Sequence, residues 1–486
     1  MRRILISAWL LAVAACAGPA RTGAPAAPQP DVVAPPMERW VNPGAPQGGD
    51  GSREKPFKLL EEALQGVTGP AVLHLSTGMY RGPFRTPAGV RIEGSRATVL
   101  YVEHGQAVLE PQGELGLSNL VVQGGQVGIR SAHRLELDDV ELSGQREKAV
   151  VMTAGHLRAR STRFAGTVSE TVGVNAAGPV TVELTDSSFT GAFRRAISVE
   201  AGASLQIRSS RFEGPATAVH AIRSDVALQD VDVSGGRGIG IFAAGGSLKL
   251  KSVRVLGHEY AVLARDDAKV DATDLSCIRP DRAGVGLVAA TGRFDQLVIV
   301  ETGSYGAIHQ VGGELELRRF VIRAADAYGI HVSAGQLIAE DGVIVGVGDT
   351  GGGAGDGIHL RRSRARISGV SVSNTSGSGV LAAEGSRVAL RDLVLERNRW
   401  GGVLAETGAH VEASSIAVRA SSSAIAVPGD ALVKIDAVTA KDLVHGLIWA
   451  ECAQGAEVQV ARTPGAAGRA NIPCVGTWEN PEVFEP

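Results

Sequence analysis

Three histidines recur in one sequence context: Ile308-His309, Ile330-His331 and Ile358-His359. If the isoleucine of each pair faces a core, alternation along an extended strand turns the histidine outward. On stacked strands such histidines stand about 4.8 Å apart on one face. Imidazoles at that spacing suit metal ligation, proton transfer or contact with a glycan. Tyr305 and Tyr328 precede the first two histidines, and Asp349 and Asp356 bracket a glycine-rich stretch before the third. The basic run Arg361-Arg362-Ser363-Arg364-Ala365-Arg366 follows, with Arg361 and Arg362 as candidate ligand contacts. Such a run attracts acidic polysaccharide or lipopolysaccharide phosphates. The plainer alternative is a solvated strand face beside a mobile loop. No second shell that would orient the imidazoles is visible, so neither a metal nor a cofactor is expected.

The elements that must position these groups come from an internal repeat. Ser204–Gly214 reads SLQIRSSRFEG, Asp225–Gly235 reads DVALQDVDVSG and Ser247–Gly257 reads SLKLKSVRVLG. Windows of this kind start at Glu114, Arg134, His156, Thr181, Ser204, Asp225, Ser247, Lys269, Thr291, Glu314, Gln336, Arg364, Arg387, His410 and Leu432, with a mean period of about 23 residues. The longest step, Gln336 to Arg364, contains the glycine-rich stretch. Within a window apolar residues alternate, break at a polar pair and alternate again, as two short strands with a tight bend. A third segment follows, usually a small residue and then a branched aliphatic, as in Gly329-Ile330, Gly357-Ile358 and Gly402-Val403. The bend column runs Asn119, Asp139, Ser161, Asp186, Ser209, Asp230, Ser252, Asp274, and on to Ala437. Short polar side chains there are expected to hydrogen-bond local backbone, a better account of the acids than catalysis. Counted from the following window the three histidines align; counted from the preceding one, His309 shifts by one residue.

Three short strands per repeat, with no room for a helix, predict an all-β solenoid of about 15 or more coils. From Trp40 to Val460 the chain resembles the right-handed parallel β-helix proteins of the pectate-lyase-like superfamily. The segment Gly78-Met79-Tyr80 matches that family's first-coil turn, and Lys58–Leu64 has the pattern of a short N-terminal capping helix. The resemblance implies polysaccharide chemistry, with clustered acids for calcium and a basic residue in the lyases, or several aspartates in the hydrolases. Those signatures do not carry over: Asp138-Asp139 and Asp266-Asp267 are the only Asp-Asp pairs, and neither has the hydrolase surroundings. A shared fold does not bring its chemistry with it.

The N-terminus reads as an address. Arg2 and Arg3, an apolar run from Ile4 to Ala15 and then Cys16 describe an export signal. The ending Val13-Ala14-Ala15-Cys16 resembles the lipobox of bacterial lipoproteins, which implies lipidation at Cys16, membrane attachment through that lipid and, with Ala17 next, outer-membrane sorting. The expected organisation is a signal peptide over 1–15, an Ala/Pro-rich tether over 16–37, the β-helix over 38–460 and a C-terminal cap over 461–486. An oxidising exterior permits a disulfide between Cys452 and Cys474, contributing about 3 kcal/mol by loop entropy. Cys277 lies in a strand-like run and is expected to be a small buried residue.

Composition agrees with this reading. Of 486 residues 63 are Gly, without the Gly-X-Y period of collagen, and the 44% hydrophobic share excludes wholesale disorder. A net charge of -3 lacks the basic excess of a nucleic-acid protein. With only 5 Trp, 5 Tyr and 10 Phe, a sugar-stacking platform is not expected. The leading expectation is therefore a monomeric, lipid-anchored binding or structural module for polysaccharide. The alternatives are a polysaccharide lyase or glycosidase using the histidine face, and a passive surface or adhesion rod.

Overall fold

The structure is a computed structural model and describes residues 36–350, 354–461 and 474–478. Its 41 strands join one continuous parallel sheet wound as a parallel β-helix. Beside them, among the described residues, stand only a five-residue helix, Leu60–Leu64, and a 3-10 turn, Cys452–Gln454. Leu60, Ala63 and Leu64 of the helix are buried and join the core at its N-terminal end. Among the described residues no helix is long and apolar enough to cross a membrane. Cys16, the signal sequence and residues 17–35 lie outside the described residues.

The repeat seen in the sequence is the register of the sheet. Ser204 pairs with Asp225, Asp225 with Ser247, Ser247 with Lys269, Lys269 with Thr291, and Thr291 with Glu314. The same column continues through Gln336, Arg364, Arg387, His410 and Leu432. Each coil has three faces. In the coil that opens at Glu314, residues 314–318 form the first, 320–326 the second and Tyr328–Ser333 the third. The first strand, Met37–Val41, begins at the last residue assigned to the tether. Val475–Trp478 adds another parallel strand beyond residue 460, on Glu457–Ala461. The Cys452–Cys474 disulfide closes that end.

Between the first and second faces the chain turns through a left-handed residue. Asn119, Asp139, Ser161, Asp186, Ser209, Asp230, Ser252 and Asp274 all have φ between 48 and 57°. Arg319, Asp341, Asp392 and Ser415 continue the series, whereas Ala437 is absent from it. The reason for the residue type differs from the one expected. None of these side chains hydrogen-bonds its neighbouring backbone among the described residues; Asp139 instead pairs with Arg96 at 3.2 Å. What the bend selects is a residue that tolerates the left-handed region, where Asn and Asp are enriched.

The core is a set of aliphatic ladders. Ile308, Ile330, Ile358 and Val380 stack in register and are fully buried. Each such side chain contributes roughly 1.5–3 kcal/mol on burial. Beside them runs a column restricted to small residues. A Cβ on Gly329 would meet the Gly357 carbonyl at 2.4 Å, and one on Gly357 would meet Val372 at 2.2 Å. The third face can therefore lie close to the second only where that position is Gly or Ala. On the second face Phe164, Phe189 and Phe212 stack at 4.3 and 4.8 Å. Cys277 continues that column, fully buried, and burial pushes its thiol up, as expected of an inert packing residue.

Candidate functional site

The third face carries the histidines. His309, His331 and His359 are in register on three successive coils, which removes the one-residue ambiguity of His309. Gly329 and Ile330 both lie buried, so the strand is locally irregular, and Tyr328 emerges on the same side as His331. Nδ1 of His331 lies 3.2 Å from Nδ1 of His309, so one ring donates to the other. Tyr328 stacks on His331 at 4.9 Å and meets His359 edge-on at 5.0 Å. Tyr305 stands 43% exposed, 5.6 Å from His309, with the Arg282 guanidinium 5.7 Å from its ring centre. Tyr260, two coils earlier, reaches Tyr305 at 6.5 Å.

These contacts overturn one expectation. Aromatic residues are scarce in the chain, yet three of its five tyrosines and three histidines collect in one strip on an outward face. The second correction concerns exposure. His359 is 9% exposed and Asp356 only 2%, so the third histidine is not part of an open surface ladder. Asp356 Oδ2 holds His359 Nδ1 at 2.8 Å, and Asp356 Oδ1 accepts the Ser378 amide at 2.7 Å. This fixes the ring and leaves His359 Nε2 without a hydrogen-bond partner among the described residues, the arrangement that orients an imidazole for proton transfer.

The chain on either side of the glycine-rich stretch keeps the register of the coils. Val347 pairs with Thr375 before it and Tyr328 with Asp356 after it. Its entry is held by Asp326, which accepts the Thr350 amide at 2.8 Å and the Thr350 hydroxyl. Burial acts to raise the Asp326 carboxyl, but the hydrogen bonds from Thr350 and Ala327 leave it below the usual carboxylate range. Asp349 is exposed and forms no hydrogen bond among the described residues.

The basic run divides. Arg361 forms a two-atom contact with Glu384, its Nε at 2.9 Å, and Arg362 reaches the other oxygen of Glu384 at 3.3 Å. Both candidate contacts thus share one carboxylate within the protein, because Glu384 stands one coil on at the same corner. Two contributors escaped the sequence reading. Asp326 had no motif to mark it. Glu406 lies beyond Gly402-Val403, four residues after the small position of its coil, as Arg361 is after Gly357, and that periodicity was the available signal. Burial and the nearby Asp356 charge hold the Glu406 carboxyl above its usual range.

The stack has a predicted pH response. Burial, with the His309 and His359 rings and Arg361 nearby, pushes His331 down to about 3, and burial also lowers His309. In the unfolded chain His331 and His309 take up protons below about pH 6.5, whereas in the folded chain both do so only at lower pH, His331 not until about 3. Stability should therefore fall as pH drops from about 6.5 towards 3. Urea midpoints across that range check this: His331→Gln should flatten the dependence, and an unchanged slope would refute it.

Among the described residues no three or more His, Cys, Asp or Glu side chains are grouped to hold a metal ion. No family model and no curated protein sequence matches the chain. Solved structures do resemble it. The N-terminal fragment of gene product 12 of bacteriophage phi29 is 9% identical, covering 79% of this chain and 88% of that one, with a TM-score of 0.44. The family 28 exopolygalacturonase of Yersinia enterocolitica is 9% identical over 84% and 76% of the two chains, with a TM-score of 0.29. Pectate lyase Pel9A is 11% identical over 73% and 80%, with a TM-score of 0.23. These are likenesses of architecture and decide nothing about activity. The class of protein is set by its own register: a parallel β-helix with an aromatic and histidine strip on one face.

Proposed function

We propose that the protein is a lipid-anchored, extracytoplasmic β-helix that binds a polysaccharide as a monomer along the strip from Tyr260 to His359. The observation that carries this reading is the concentration of rings there in a chain poor in them. Aromatic faces offer flat apolar area with polar edges, suited to a sugar ring, and Asp349 and Arg282 supply polar groups at the margin. The Cys452–Cys474 bond supports an oxidising compartment, and the Met1–Cys16 sequence supports export and lipidation. One observation favours a second reading, a lyase or glycosidase: Asp356 holds His359 through Nδ1, and Nε2 has no hydrogen-bond partner among the described residues.

The test is to incubate the full-length protein with uronic-acid and neutral glycans while following both binding and product formation. Saturable binding without turnover, with membrane recovery lost in Cys16→Ser, is the expected outcome. Turnover abolished by His359→Gln would establish the enzyme instead. Neither binding nor turnover would leave only the passive rod.

A further inference from the structure

The first face carries a feature that the aromatic strip does not use. Arg364 and Arg387 are paired in register on adjacent coils, and Arg366 lies two residues along from Arg364 on the same face. All three line one hollow of about 530 Å³, with the partly exposed Ile338 and with Ala389 beside them and His410 and Glu412 at its border. The hollow is continuous through shared residues with two others, of about 570 and 710 Å³, so a groove crosses this face.

The grouping of charge sets this place apart on its face. Several arginines elsewhere on it are paired within or across coils, Arg134 with Glu136 at 2.6 Å, Arg160 with Asp138 at 2.6 Å, Arg293 with Glu316 at 3.5 Å and Arg318 with Glu340 at 3.4 Å. Cations without an ion pair among the described residues, such as Arg208, Lys249 and Lys251, also stand on it; here three guanidinium groups gather around one hollow. Among the described residues the side chains of Arg364, Arg366 and Arg387 form neither an ion pair nor a hydrogen bond. Two of them stand one coil apart, about 4.8 Å, and the third is about 7 Å along the strand. Like charges so placed repel unless an anion lies between them. Glu412 is the one carboxylate bordering the hollow, against three guanidinium groups.

We infer that this groove binds a phosphomonoester, carried by a phosphorylated sugar. A planar carboxylate carries a single charge, which one guanidinium fork already balances. A tetrahedral phosphate carries close to two charges and three acceptor oxygens, and so engages several forks at once. Ile338 and Ala389 offer the apolar floor against which a sugar ring can lie. The site is on a different face from the strip and does not depend on the polysaccharide reading. A sulfate ester shares the tetrahedral geometry with a single charge, and the test separates the two.

Calorimetric titration of the full-length protein with glucose 6-phosphate, glucose 6-sulfate and galacturonate tests the site. Glucose 6-phosphate should bind saturably, at least tenfold more tightly than galacturonate and more tightly than the sulfate. The double variant Arg364→Gln/Arg387→Gln should lose at least tenfold of that affinity. Arg254→Gln, an exposed unpaired arginine on the second face, should lose none. In low salt the double variant should also unfold at the same or a higher temperature, because the repulsion is relieved. No saturable phosphate-ester binding, equal or tighter binding of galacturonate or sulfate, or equal losses in the Arg254 control would each overturn the proposal.

Discussion

Truncation of Tyr305 and Tyr328 to Ala together is expected to lower affinity for the proposed polysaccharide by about a hundredfold. Aromatic anchors at the centre of a binding surface each cost roughly 2 kcal/mol or more on truncation, and neighbouring losses are not fully additive. The two residues contribute differently. Tyr305 is the more exposed ring and contacts His309, while Tyr328 bridges His331 and His359. Tyr305→Ala alone should weaken binding without changing stability, and Tyr305→Phe should keep most of the affinity because the ring face is retained. Calorimetry against whichever glycan binds the unaltered protein is the measurement. Full affinity in the double Ala variant would remove the strip from the binding surface.

A second large effect is expected in the core, far from that strip. Phe189 lies between Phe164 and Phe212, nearly parallel to both, with Phe193 edge-on at 6.1 Å. Phe189→Ala removes the middle ring of a stack whose outer members are held by the ladder register, so the gap cannot close fully. The cost is about 3–5 kcal/mol. Because each coil pairs its strands only with its neighbours, the loss should weaken the coils around Phe189 and can divide unfolding into two steps. Denaturation followed by circular dichroism, with limited proteolysis to locate the opened coil, reads both effects. Phe189→Leu should recover much of the stability; an unchanged urea midpoint in Phe189→Ala would show that the rings are not packed as described.

Much of this molecule is legible in one dimension. The window starts proved to be a single column of the sheet, and the polar bend positions proved to be left-handed residues almost throughout. The choice of three histidines was legible for the same reason, since each follows an isoleucine of the core ladder. The site around them was less so. Asp356 read as a surface acid and is buried against His359, while Arg361 and Arg362 read as ligand contacts and are occupied by Glu384. Glu384 and Glu406 reach the site from later coils, which no local window includes.

The sequence by itself determined the parallel coil, its three faces and which side chains point inward. Those properties follow from alternation, bend chemistry and a repeat in which each coil must match the one before. Only the tertiary structure decided what the outward groups do. Whether two rings touch, or a guanidinium finds a carboxylate, depends on side chains one or two coils away and on the corner each approaches. That is how a chain poor in aromatic residues assembles an aromatic strip, and how one basic run splits into arginines that are paired and arginines that are free.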